Sequence, residues 1–409
     1  MYTMDNDDKI ICQLVETYFS SSSSSTASAM SKSSSTEDSA SSSSGDGEED
    51  DDLLLFPLML YLTSGQRRHR IQNYLQIIDS WTNKEYKQHL RLNWCTASKL
   101  IDELELSNFI PSHSFGVKPI SAKLSFLLFL WYIANIEPLR TMSDRFDVSI
   151  SSVFRVLRRV VTWLLTKFDS VIKWPQGLEA VVVNEQFLSK KGIPKVLGAI
   201  DETHIRIEKP LDRAREYCNR KKYFSISLQA VADADMRFIN VYCGDPGSLH
   251  DARILRRSEL YHEASMNQEI LFPDKMFLLG DSAYPSLPWL VPPFRDNGHL
   301  TPQQVEFNYI HSSTRMAIEQ AFGQLKGRFR RIKFFTEYRD LPFVVNTVVA
   351  ACILHNYCIE KNDTYDFPEV LNDCTSGITN DIEQEEIDNR TAGMDRRTEL
   401  FYELFPNCL

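Results

Sequence analysis

The chain reads as a mixed α/β domain over residues 176–360, preceded by an α-helical region at 53–175 with a helix-turn-helix-like segment, and closed by tails at 1–52 and 361–409. Three observations predict this class. Before Pro175 apolar residues recur at helical spacing; after it, short apolar or alternating runs bounded by Gly, Pro and Asp take over, as strands require. The 409 residues are 43% hydrophobic, enough to bury a sizeable core. Both ends, by contrast, are rich in acid.

The charge is unevenly placed. Residues 1–52 carry 12 acidic and 2 basic side chains and residues 361–409 carry 12 acidic and 4 basic, so the net charge of −10 conceals a body with 39 basic and 31 acidic groups. A basic body between acidic tails suits a polyanion-binding surface whose non-specific attraction is damped by its own termini; the alternative is tails that merely keep the chain soluble. Residues 20–44 are mostly serine and 45–52 mostly acid, too little apolar surface to offset the entropy of ordering, so disorder is predicted there. The eight cysteines show neither a C-x-x-C pair nor zinc spacing with histidine, which points to reduced thiols in a cytosolic or nuclear protein. The N-terminus lacks the basic start and apolar run of a secretory signal. The apolar runs at 53–62 and 124–134 are too short to span a bilayer, and Pro57 interrupts the first, so no membrane is expected as a partner.

In chain order, structure is expected from Leu53. Residues 67–106 are broadly helical, with Trp81, Tyr86, Leu90, Leu92, Leu100, Ile101 and Leu104 as core positions. Ser121 caps a helix running to about Asn135. A second helix covers 139–146, Asp147-Val148-Ser149 forms a turn, and a third helix covers about 151–168. On that third helix Val153, Phe154, Val156, Leu157, Val160, Val161, Leu164 and Leu165 form the apolar stripe; Ser151, Ser152, Arg155, Arg158 and Arg159 lie off it. Two helices, a tight turn and a basic second helix describe a helix-turn-helix that can enter a major groove, with a helical hairpin wet on its arginine side as the alternative.

Strands follow. The run at 196–200 ends at Asp201 and alternation continues over 204–207; strands at 223–232 and 237–243 flank a turn at 233–236. A helix starts near Asp251, and a short strand at 276–280 stops at Asp281. After a Pro-rich loop, Ile318, Ala321, Phe322, Leu325 and Phe329 mark an amphipathic helix within 315–331, and residues 344–358 form an apolar one. Beyond these, Leu400, Phe401, Leu404 and Phe405 mark a short helix suited to a partner.

Asp201 and Asp281 each end an apolar strand, and strand tips gather at one sheet edge, to which the following helix can deliver Glu319. Each aspartate alone reads as a strand-end turn former. Together, three close carboxylates stay ionised only if cations neutralise them, and hard oxygen ligands suit Mg2+ or Mn2+. Such ions serve in-line displacement at phosphorus.

The blocks Gly198-Ala199-Ile200-Asp201-Glu202-Thr203-His204-Ile205, Asn219-Arg220-Lys221-Lys222-Tyr223-Phe224-Ser225, Pro246-Gly247-Ser248-Leu249-His250-Asp251, Gly280-Asp281-Ser282-Ala283-Tyr284-Pro285 and Arg315-x3-Glu319-x2-Phe322-Gly323-x2-Lys326-x-Arg328-Phe329 resemble, in this order, the signature blocks of the PIF/Harbinger transposases and the nucleases derived from them. The likeness covers about 121–360. It implies an RNase H-like fold for the mixed sheet and a catalytic, metal-holding triad of Asp201, Asp281 and Glu319. It further implies DNA cleavage with a divalent metal cation (Mg2+ or Mn2+), a Myb/SANT-like protein partner, and the nucleus, with the cytoplasm as a further location. Under it, Arg220, Lys221, Lys222, Arg315, Lys326, Arg328, Arg330 and Arg331 meet DNA phosphates, as Arg155, Arg158 and Arg159 of the helix-turn-helix would. Asp251 is read as the N-cap of its helix or as an accessory metal residue, and His250 as structural. The alternative function is a domesticated transposase that binds DNA, chromatin or protein without cutting.

Overall fold

The computed structural model of the chain describes residues 70–113, 118–335, 340–363 and 386–406. The tail at 1–52 and the apolar run at 53–62 lie outside the described residues.

The helical region comprises α1 (Tyr74–Asp79), α2 (Asn83–Leu90), α3 (Trp94–Glu105), α4 (Ala122–Ala134), α5 (Leu139–Phe146) and α6 (Ile150–Leu165). Its starts are set by side chains that satisfy otherwise unpaired backbone N–H groups. Thr82 and Glu85 form a reciprocal capping box on α2, Ser121 accepts from Leu124 N on α4, and Ser149 accepts from Ser152 N on α6. Apolar on nearly every side, α4 is buried along most of its length and forms the centre of this layer. The expected helix-turn-helix is present: Asp147 takes a left-handed φ of 50° after α5, and Ser143 Oγ donates to Val148 O across the turn. Phe154 departs from the expected stripe. It is 45% exposed and lies under the Arg158 guanidinium, because the buried seam of α6 follows Val153, Val156, Leu157, Val160 and Leu164.

After α7 (Leu178–Lys191) comes a mixed sheet of β1 (Val196–Ile207), β2 (Ser225–Ala232), β3 (Phe238–Pro246), β4 (Phe277–Leu279), β5 (Leu290–Val291) and β6 (Phe334–Phe335), in the order β3-β2-β1-β4-β5 with β6 on the far end of β1. The pairs β1–β2 and β2–β3 are antiparallel, whereas β4, β5 and β6 run parallel to their partners. The apolar run at 196–200 and the alternation at 204–207 are one strand, since β2 pairs with it from Ala199 to Arg206. Helices α8 (Asp251–Arg257) and α9 (Glu259–Met266) cover one face of this sheet; α10 (Pro302–Arg328) and α11 (Leu341–Glu360) cover the other.

Side chains alternate across a strand. Ala199 and Ile205 of β1 therefore share a core with Ile318, Phe322 and Leu325 of α10, while Ile200 packs with Leu255 and Leu260 beyond the opposite face. α11 is long and apolar enough to cross a membrane, but two thirds of its most apolar window is buried and it packs on α6 and β3. Near its end Asn356 mimics a neighbouring strand: its Oδ1 accepts from Phe238 N at 2.9 Å and its Nδ2 donates to Phe238 O at 2.8 Å. The acidic C-terminal stretch also contributes α12 (Glu386–Leu404). Leu400 and Phe401, expected to serve a partner, are buried here against Phe294 and Phe307, which complete the apolar face instead.

Candidate active site

Asp201 is not at the tip of its strand, since β1 continues to Ile207. It stands instead where the shorter parallel neighbour stops. Ala199 pairs with Leu279, so Asp201 on β1 is level with Asp281, two residues past the end of β4. The strand period points Asp201 toward α10. There Arg315 Nη1 donates to Asp201 Oδ2 at 2.7 Å, and the other terminal nitrogen of Arg315 bonds Glu319 one helical turn on. The second Asp201 oxygen accepts from Glu202 N at 2.8 Å; Asp281 Oδ1 accepts from Ala283 N at 2.9 Å, which fixes the turn after β4.

The electrostatics couple the two aspartates to one another and all three carboxylates to Arg315. Burial pushes the Asp201 carboxyl up to about 7, with Arg315 opposing and Asp281 and Asp251 adding repulsion. Burial and then Asp251 raise Asp281. For Arg315 burial opposes the charge, but Asp201, Glu319 and Asp281 outweigh it and raise the guanidinium. The structure thus gathers Asp201, Asp281 and Glu319 around Arg315. As they stand, no three acidic, histidine or cysteine side chains among the described residues are posed to hold an ion, and the guanidinium lies between Asp201 and Glu319. The donors fit a hard divalent cation nonetheless: all are carboxylate oxygens, and buried mutual repulsion favours added positive charge.

Asp251 is the first residue of α8, and its N-cap is His250, one residue before the position expected. The Asp251 carboxyl is free to face other groups. It lies beside Glu202 and within the field of Asp281 and Asp201 as well, and burial followed by Asp251 raises the Glu202 carboxyl. His250 bonds Arg220, so the loop before β2 is tied to the start of α8. Lys221 and Lys222 on that loop are exposed.

Several cations expected at phosphates are engaged elsewhere. Arg328 is 2% exposed; it donates to Asp363 and to the carbonyls of Arg91 and Asp363, and is a buried tie rather than a DNA contact. Arg331, 1% exposed, donates to the carbonyls of Tyr132 and Glu137 and joins α4 to the sheet layer. Arg158 pairs with Asp340, the N-cap of α11, over the rings of Phe154 and Phe343. Lys326 donates to Thr203 Oγ1 at 2.7 Å and to His204 O at 2.9 Å. Arg155 is exposed, and Arg159 and Arg330 are half-buried. Glu202 was not singled out from sequence. Its signal was an acid at an inward strand position, a pattern seldom satisfied without a partner.

The pH dependence follows from Asp201. Its ordinary value is 3.8 and its folded value about 7, so the folded state keeps a proton that the unfolded chain releases in between. That contribution is complete below the ordinary value and is lost as pH rises through the folded one. In chelator-treated protein, Asp201→Asn is expected to gain stability relative to the unsubstituted chain between about pH 4 and pH 7, measured by urea unfolding; a constant difference would contradict the assigned burial.

Two aspartates thus stand level at neighbouring parallel strands, and the helix that crosses them delivers a glutamate beside Asp201. Residues 200–356 match the family described as DDE superfamily endonuclease. Among curated proteins, the chain is 30% identical over 281 residues to the ALP1-like protein of Arabidopsis thaliana, covering 66% of this chain and 68% of that one. It is 30% identical over 251 residues to the "Putative nuclease HARBI1" of Bos taurus, covering 59% of this chain and 69% of that one. To the antagonist of like heterochromatin protein 1 of Arabidopsis thaliana it is 31% identical over 232 residues, 53% of this chain and 57% of that one. No solved structure matches the chain. The chain belongs to the family of nucleases derived from Harbinger transposases, and its sheet is RNase H-like.

Proposed function

We propose that the protein is a metal-dependent DNA endonuclease of the Harbinger transposase-derived type. The observation that carries this reading is the gathering of Asp201, Asp281 and Glu319 around one guanidinium. Asp201, Asp281 and Glu319 would hold the divalent metal. The chemistry that bound Mg2+ or Mn2+ supplies is Lewis-acid stabilisation of the attacking and leaving oxygens of a phosphodiester. Arg315, once it leaves Asp201 and Glu319, is placed to face a phosphate. The exposed Lys221 and Lys222, with Arg220 and Arg155, offer the further cations a DNA backbone needs. Family resemblance supports the nucleus as the location and a Myb/SANT-like protein as partner.

The test is nicking of supercoiled DNA by the purified chain. Cleavage that appears with Mn2+ and disappears with chelator is expected; DNA binding that weakens with salt but yields no metal-dependent product overturns the enzymatic reading. The second reading, a DNA- or chromatin-binding descendant without cleavage, is favoured by one observation: Arg315 already neutralises two of the three carboxylates.

A further inference from the structure

The face of the sheet turned away from α10 carries a group of buried polar atoms without hydrogen-bond partners in the protein. They are Glu202 Oε1, His204 Nδ1, both amide atoms of Gln229 and the Tyr284 hydroxyl, with the Ser227 hydroxyl turned toward Glu202. Register brings them together: Glu202 pairs with Gln229 and His204 with Ser227, and such cross-strand neighbours lie side by side on one face. Ser227 and Gln229 are each 1% exposed and the Glu202 side chain 5%, so bulk water does not reach them. Glu202 Oε1 lies 3.4 Å from His204 Nδ1, yet the two are not aligned as a hydrogen bond.

Asp251 closes the group. From the first turn of α8 it reaches hydrogen-bonding range of Glu202, and the Tyr284 hydroxyl lies in the field of both carboxylates. Buried polar atoms are nearly always paired, so a cluster of orphans on one face indicates a bound species. Its oxygen-rich composition says which kind. Two carboxyls in contact, one amide oxygen and two hydroxyls form a hard donor set of the sort that holds Mg2+, Mn2+ or Ca2+.

We propose that Glu202 and Asp251, with Gln229 Oε1 and the hydroxyls of Ser227 and Tyr284, form a second site for a hard divalent cation, on the sheet face opposite the Asp201–Glu319 cluster. The role assigned to Asp251 is then that of a ligand to this ion. A cation there ties α8 to β1 and β2 directly behind the candidate active site, and its binding does not depend on whether the protein cuts DNA.

The experiment counts Mn2+ bound to the full chain by titration calorimetry and electron paramagnetic resonance, without nucleic acid. The variants are Glu202→Gln, Gln229→Leu and the double variant Asp201→Asn/Glu319→Gln, each checked for folding by circular dichroism. The double variant is expected to keep one Mn2+ equivalent and a Mn2+-dependent rise in thermal midpoint. Glu202→Gln is expected to lose that equivalent or to bind it at least about tenfold more weakly, with its metal-free midpoint maintained, because the new amide donates to Asp251. Gln229→Leu, which leaves both carboxyls in place, is expected to weaken the same equivalent. If Glu202→Gln binds as much Mn2+ as the unsubstituted chain, or the double variant binds none, the second site is overturned. The first of those results would leave the nuclease reading untouched.

Discussion

Asp201→Asn is expected to leave the fold in place and to reduce Mn2+-dependent nicking by about 10³-fold or more, the scale on which losing a charge aimed at the reacting centre is felt. Asn is nearly isosteric; because Arg315 and Glu202 N donate to different oxygens of Asp201, its single amide oxygen keeps one of those two bonds. What disappears is the negative charge, and with it a carboxylate proposed to hold the divalent metal. Burial of that charge opposes folding, so thermal unfolding of the metal-free variant should show equal or greater stability. The two readouts therefore move independently: cleavage collapses while the midpoint holds. Nicking above a tenth of the unsubstituted level, with the fold intact, would remove Asp201 from the chemistry.

Asp363→Ala is expected to cost about 3–5 kcal/mol of stability, the usual consequence of removing one partner from a buried ion pair. The Asp363 side chain is fully buried; its carboxylate accepts from Arg328 at 3.3 Å and from Asn93 N at 2.6 Å, and pairs with Lys87 at 3.2 Å. Its removal takes a buried counter-charge from the Arg328 guanidinium, which is 3% exposed, where water does not penetrate. Chemical denaturation measures the loss. A change under about 1 kcal/mol would show that this junction between the first helices and the end of α10 is not a stabilising tie.

Much of the fold could be read before any coordinates. The Ser121 cap, the turn at Asp147 and the apolar texture of 344–358 all appear as expected. They are local, resting on a cap three residues from its donor or a period within one helix. Asp281 was legible from the strand that ends just before it and Glu319 from the helical spacing around it, whereas Asp201 was singled out by a strand end that the fold does not have. Boundaries were less so: the break expected after Asp201 does not exist, because pairing with β2 carries the strand through its polar residues.

The order of helices and strands, the positions of the three carboxylates and the family resemblance are contained in the order of residues, since each depends on neighbours a few places apart. Packing alone settled that Arg315 bridges Asp201 and Glu319, that Arg328 is sealed against Asp363, and that Glu202 faces Asp251 behind the sheet. The reason is physical. Periodicity tells which face of an element avoids water, but a long charged side chain is claimed by whichever opposite charge or bare carbonyl the fold brings near it, and for Arg328 one such partner lies 237 residues away.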